Sequence, residues 1–246
     1  MTRSHDDRAG TGADRGGAIL PAITLSSVPF CPRLQRAKVA LAARGGICTE
    51  QDAPDVWPMP EGYPRMVLRH PDGSETLHLR SIPMIEAIEA LFPAHPLYPH
   101  DPAAKAADQA LMRLGRGLQL RLSDVTHAAD SVAHDMAVFR LTSRLRLIEG
   151  VLAEEFPRVH LDNPGVVFAP TLWRIRLLDR EAGTFLLHGL PRLTDWAEML
   201  SAEPALRIAL GHAAEAVYLS RVRARNTVLM AEADRALWAR WPNGPA

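Results

Sequence analysis

Only two of the 246 residues are cysteine, Cys31 and Cys48. Two thiols make no disulfide framework, and the pattern suits a reducing compartment. An excess charge of one sign is also missing: 28 Lys+Arg balance 28 Asp+Glu, which points away from nucleic acid and from an anionic membrane surface as partners. No apolar run reaches the roughly 18 residues of a membrane span. The ten histidines include His127 and His134, yet no H-E-x-x-H or paired-cysteine pattern occurs, so no metal site is expected. Residues 1–17 contain no apolar segment, which excludes a secretory signal, and Asp6, Asp7 and Asp14 argue against a mitochondrial presequence. That stretch reads as a disordered leader, and the protein as cytoplasmic.

What is there is ordinary for a globular chain with a real core. Hydrophobic residues make up 47%, and the length suits one large or two modest domains. From Ala18 to Pro93 short strands and helices alternate. Strands are expected at 18–26, 47–51, 65–69 and 75–79. Helices are expected at 32–44, stopped by Gly45-Gly46, and at 82–92, capped by Ser81. His70-Pro71-Asp72-Gly73 reads as the turn of a hairpin. The sum is a small mixed sheet with helices packed on it. Pro93 to Pro102 holds four prolines and reads as a linker. Beyond it the pattern is all helical: 103–127, 130–156, an apolar helix at 166–179, then 193–200, 205–218 and 219–240.

Within this frame Val28-Pro29-Phe30-Cys31-Pro32 places a thiol where a strand ends and a helix begins. The first N–H groups of a helix have no internal partners, and the dipole puts partial positive charge there. A thiolate at such a point is stabilised. Pro32 suits the first helical position, where its missing N–H costs nothing. Position alone leaves two readings open, a reactive thiol or a buried structural one.

Several motifs in a fixed order resemble the cytosolic glutathione transferases, from about Ala18 to Arg225. Phe30-Cys31-Pro32 with Gln35-Arg36 is similar to the opening of the omega class. Tyr63-Pro64 before the hairpin resembles the family's Val-Pro, whose proline is cis. Ser81, after Leu77-His78-Leu79-Arg80, matches the serine of the family's Glu-Ser pair. The Pro-rich linker and the run Leu200 to Arg207 are similar too. The resemblance implies an α+β two-domain fold. A thioredoxin-like, glutathione-binding domain spans 18–93, a linker 94–102 and an all-α helical bundle 103–246. It implies a homodimer.

The resemblance also implies a site. Cys31 is the reactive thiol, and glutathione is the co-substrate. Phe30, Arg33, Tyr63, Pro64, Arg80 and Ser81 hold glutathione. Tyr63 pairs with its backbone as an added strand, and Ser81 at a helix start binds its γ-glutamyl carboxylate. Met112, Arg113, Arg116 and Gln119, with Trp173, line the pocket for a small electrophile or mixed disulfide. Cysteine at this point favours thiol transfer, and Leu34 excludes a second thiol three residues on. Three departures stand out. Arg80 replaces the family's acid, and repels an ammonium group but holds a carboxylate. The family's second helix is cut down to the loop 53–62. Gly165 takes the acid position of the family's capping box at Asp162. A non-catalytic ligand-binding or regulatory protein, and a specialised glutathione-dependent lyase or isomerase, are the alternatives. Ser26 and Ser27 read as strand-end and turn residues, with hydroxyls near the sulfur as the alternative, Cys48 as core, and Arg221, Arg223 and Arg225 as a solvated helix face, with cover of the active-site mouth as the alternative.

Overall fold

Alternation sets the first strand. In β1 (Ala22–Ser27) Ile23 and Leu25 turn inward, and Leu25 has no exposed surface. The structure is a computed structural model, and it describes residues 20–28, 30–53, 61–155, 160–225 and 228–229. The expected leader lies outside the described residues. β1 starts later than the apolar run suggests, because Pro21 has no N–H to give a ladder. Helix α1 (Pro32–Ala42) crosses from β1 to β2 (Thr49–Asp52), and the two strands pair in parallel, Thr24 opposite Thr49. β3 (Arg65–Arg69) lies antiparallel on the other side of β1, and β4 (Glu75–His78) antiparallel beyond it. The sheet order is β2-β1-β3-β4. Between β3 and β4, Gly73 takes φ +84°, and the Asp72 carboxylate accepts from Ser74 N–H at 2.9 Å and its hydroxyl at 2.7 Å.

The apolar positions of α2 (Ser81–Leu91) settle on the sheet, with Met84, Ile85 and Ile88 fully buried. Its N-cap is Arg80, not Ser81, and no side chain caps it. Ser81 is the first helical residue, and its hydroxyl is engaged elsewhere.

Six helices follow: α3 (Pro102–Thr126), α4 (Ser131–Glu155), α5 (Asn163–Ala182), α6 (Pro191–Ala202), α7 (Pro204–Leu210) and α8 (Ala214–Ala224). Asp101 caps α3 by accepting from Ala104 N–H at 2.7 Å. α5 is the axis of the bundle, buried at every residue from Asn163 to Ile175. It starts earlier than its apolar run because Asp162 accepts from Gly165 N–H at 2.6 Å, and it stops at Gly183 in the left-handed region. The helix expected over 205–218 is broken into α7 and α8 by Gly211 at φ +82°. The chain thus has a thioredoxin-like domain followed by a helical one.

One carboxylate joins the parts. Glu89 on α2 pairs with Arg44 from the end of α1, whose side chain has no exposed surface. It also accepts from Leu97 N–H at 3.0 Å, Tyr98 N–H at 3.2 Å and Asn163 Nδ2 at 3.1 Å. Burial pushes the Arg44 guanidinium down to about 10, so its charge needs this partner. Removing one member of a buried pair leaves the other uncompensated. Glu89→Ala is therefore expected to destabilise the fold by about 3–5 kcal/mol in urea unfolding. A change of less than about 1 kcal/mol would show that the linker and α5 are held by packing alone.

Candidate active site

The strand directions gather the chemistry at one end of the sheet. β1 and β2 run one way, and β3 runs back between β1 and β4. The loop after β1 (Phe30, Cys31), the end of β2 (Asp52), the start of β3 (Tyr63, Pro64) and the end of β4 (Arg80, Ser81) therefore share that end.

Cys31 is the N-cap of α1, with Pro32 at the first helical position. Its N–H donates to Val28 O at 3.2 Å, and its carbonyl accepts from Gln35 N–H at 3.0 Å. It is buried, yet its side chain lines a cavity of about 180 Å³. Phe30, just before it, has φ +62°, a left-handed backbone that bulky residues rarely adopt. The turn presents the Phe30 carbonyl to Arg174 Nη2 at 3.1 Å.

Two buried arginines brace this loop. Arg174 on α5 donates to Phe30 O, to Gln35 Oε1 at 2.5 Å and to Pro170 O at 2.5 Å. Its guanidinium stacks on Tyr218 and Trp173, at 5.3 and 5.6 Å from their ring centroids. Arg36 on α1 has no exposed surface and donates to Ser81 Oγ at 3.4 Å and Gly115 O at 3.3 Å. Its Nε has no partner among the described residues. Burial pushes both guanidinium groups down to about 10; Arg174, Arg33 and Arg116 lower Arg36 further, while Cys31 opposes the shift on both. Neither forms an ion pair with a carboxylate among the described residues. At Gly115 a Cβ would lie 2.5 Å from Phe168 Cε2, so only glycine lets α3 approach α5 closely here.

The expected residues fall into different places. Phe30 lines the cavity with Cys31, and Arg33 is exposed on α1. Tyr63–Pro64 is a cis peptide, with Pro64 buried and Arg65 4.9 Å over the Tyr63 ring. Arg80 is exposed. Ser81 is buried, and its hydroxyl accepts from Arg36, which leaves its own O–H to donate. Met112 has no exposed surface and takes the Tyr98 hydroxyl on its sulfur at 3.1 Å. It belongs to the core rather than a cleft wall, because it lies on the face of α3 that packs inward. Arg113 and Arg116 are exposed on α3, and Gln119 accepts from Thr171 Oγ1 at 3.1 Å. Trp173 lines a separate cavity of about 1030 Å³ among α5 to α8.

Arg174, Arg36 and Ser27, named in the sequence without a site role, stand at the thiol's loop. Arg174 had a signal, a charge in the middle of an apolar helix. Arg36 had a weaker one, lying beside the inward positions of α1. Ser27 lines the Cys31 cavity with a hydroxyl that has no partner among the described residues. Arg221, read as solvated, places its guanidinium 5.9 Å from the Phe30 ring centroid, so α8 reaches the mouth of the site. Cys48 is half-buried, and burial and then Glu50 push its thiol up. No group of His, Cys, Asp or Glu among the described residues could hold a metal ion, and no described helix is long and apolar enough to cross a membrane.

The left-handed turn at Phe30 gives a direct check. Asn tolerates that conformation, and a β-branched residue does not. Phe30→Val is expected to lose about 1–3 kcal/mol more stability than Phe30→Asn, measured by thermal unfolding. Equal losses would mean that the side chain, not the backbone, is what the position requires.

No protein-family model and no curated protein matches the chain. Solved structures do. Glutathione transferase Omega 2S from Trametes versicolor, in complex with 2,4-dihydroxybenzophenone, is 19% identical over 82% of this chain and 98% of its own, with a TM-score of 0.64. Omega 1C from the same organism is 22% identical over 85% and 98%, with a TM-score of 0.63. Maleylacetoacetate isomerase from Anaeromyxobacter dehalogenans, with glutathione bound in its active site, is 18% identical over 78% and 96%, with a TM-score of 0.62. The chain has the fold of the glutathione transferases.

Proposed function

We propose that this protein is a glutathione-dependent thiol transferase that reduces small mixed disulfides through Cys31. The observation that carries the reading is the placement of Cys31: a thiol at the N-cap of α1, lining a cavity at the sheet end where Tyr63 and Arg80 also lie. The fold supports it, since an isomerase with this fold holds glutathione.

The chemistry balances without further reagents. The Cys31 thiolate attacks the glutathione sulfur of a mixed disulfide; a Cys31–glutathione disulfide forms and the second thiolate leaves, to be protonated by water. A glutathione thiolate then attacks that disulfide, giving oxidised glutathione and regenerating Cys31. Tyr63 would pair with the glutathione backbone. Arg33, Arg80 and Arg116, exposed around the site, would take its carboxylates. The Ser81 hydroxyl, which accepts from Arg36, would donate its own hydrogen to a carboxylate.

Arg80, exposed where the family has an acid, favours a second reading, a non-catalytic binding protein of the same fold. Calorimetry and kinetics separate the two. Glutathione is expected to bind in isothermal titration. Cys31→Ser is expected to bring reduction of the glutathione–2-mercaptoethanol disulfide to the uncatalysed rate, because a hydroxyl forms no disulfide. Binding with unchanged reduction in Cys31→Ser would remove Cys31 from the mechanism, and no binding would favour the second reading.

The partner surface proposed is a second copy of the chain. Val132, Met136, Phe139 and Leu147 recur at helical spacing on α4, and Phe139 is 64% exposed. A homodimer buries such a stripe. Light scattering is expected to give twice the chain mass for the wild type and the chain mass for Phe139→Glu; a monomeric wild type would overturn the assignment.

A further inference from the structure

Charged groups surround Cys31. Arg36 and Arg174 are both buried, with Arg33 and Arg116 in the field of Arg36. The cavity opens between the end of β2 and α7, and Phe30 and Gln35 in its lining are held by Arg174. Its apolar wall includes Leu34 and Leu210. Its polar wall is Ser27, Gln35, Gln51, Asp52 and the Lys38–Glu50 pair, held at 2.9 Å; Gln35 is occupied by Arg174. Lysine and glutamate cancel. Asp52 has no hydrogen bond or ion pair among the described residues, so it is the wall's one unpaired carboxylate among them. Ser27 is 2% exposed, and its hydroxyl has no partner among the described residues although Ser26 beside it donates to Gln51 Oε1 at 3.4 Å. A buried hydroxyl left unpaired is a cost that a ligand accepting or donating there removes.

From this we infer that the cavity between β2 and α7 is the subsite for the non-glutathione half of the substrate, and that it selects a small aminothiol over an acidic one. The inference rests on the thiol-transferase reading for its substrate. About 180 Å³ holds a chain of a few heavy atoms with a hydrogen-bonding head, not a large aromatic group. The arginines suit the carboxylates of glutathione, and Asp52 suits an ammonium. The residues that set specificity are then Ser27 and Asp52, not Met112 or Trp173.

The test needs no glutathione, so it stands apart from the glutathione titration above. In a Cys48→Ser background Cys31 is modified with three methanethiosulfonates: 2-aminoethyl, 2-hydroxyethyl and 2-sulfonatoethyl. Each adds its thioalkyl group to the Cys31 sulfur and releases methanesulfinate. Rates are read by mass spectrometry and divided by each reagent's rate with free 2-mercaptoethanol. The ammonium reagent is expected to outpace the sulfonate by about tenfold, with the neutral reagent between them. Asp52→Asn is expected to bring that ratio to within about threefold, and Asp52→Glu to keep it. Asp52 is exposed, so both variants are expected to fold. Ser27→Ala is expected to slow the hydroxyethyl and aminoethyl reagents. A sulfonate that reacts as fast as the ammonium, or a ratio that ignores Asp52→Asn, overturns the inference even if glutathione binds. Failure of glutathione to bind overturns the thiol-transferase reading and leaves the cavity's preference measurable.

Discussion

Two guanidinium groups held out of water fix the geometry on which the site depends. Arg174 reaches from α5 to the Phe30 carbonyl and to Gln35. Arg36 reaches from α1 to Ser81 on α2 and to the Gly115 carbonyl on α3. Each spans the seam between the sheet domain and the helical bundle. Lowering a guanidinium from 12.5 to about 10 corresponds to about 3 kcal/mol of disfavoured charge. Carbonyl, amide and hydroxyl oxygens offset that cost, so both charges are solvated by dipoles rather than by acids.

Their effect on Cys31 is positional. The Phe30 carbonyl turns toward Arg174 only because Phe30 is in the left-handed region, and that turn seats Cys31 at the N-cap of α1. Glu89 performs the companion task at the other end of α1. It gathers Arg44, the linker and the start of α5 on one carboxylate. With α1 pinned at both ends, the loop after β1 meets the same wall of α5, α7 and α8 each time the chain folds. Gly115 allows this, because its missing side chain lets the Phe168 ring sit against α3.

Burial also explains how expected residues exchanged roles. Met112 lies on an inward face, so packing claims it before a ligand could. Ser27 and Arg174, read as structural or left aside, face the loop that carries the thiol. Arg221 belongs to a basic run that looks solvated in one dimension, and α8 folds back over Phe30.

The order of elements was legible in the chain. Alternation marked β3 and β4, glycine and aspartate marked their turn, and proline and aspartate marked helix starts. Those signals act over a few residues, where backbone sterics and local hydrogen bonds decide. The motif at Phe30-Cys31-Pro32 carried the position of the thiol for the same reason. Tertiary structure alone decided which charges are buried, which hydroxyl accepts from a buried arginine, and where beside Cys31 a cavity opens. Those outcomes depend on contacts between residues 45 to 144 apart in sequence, such as Arg36 with Ser81 and Arg174 with Phe30. No local pattern encodes them, because burial is a property of the assembled core and not of the segment that enters it.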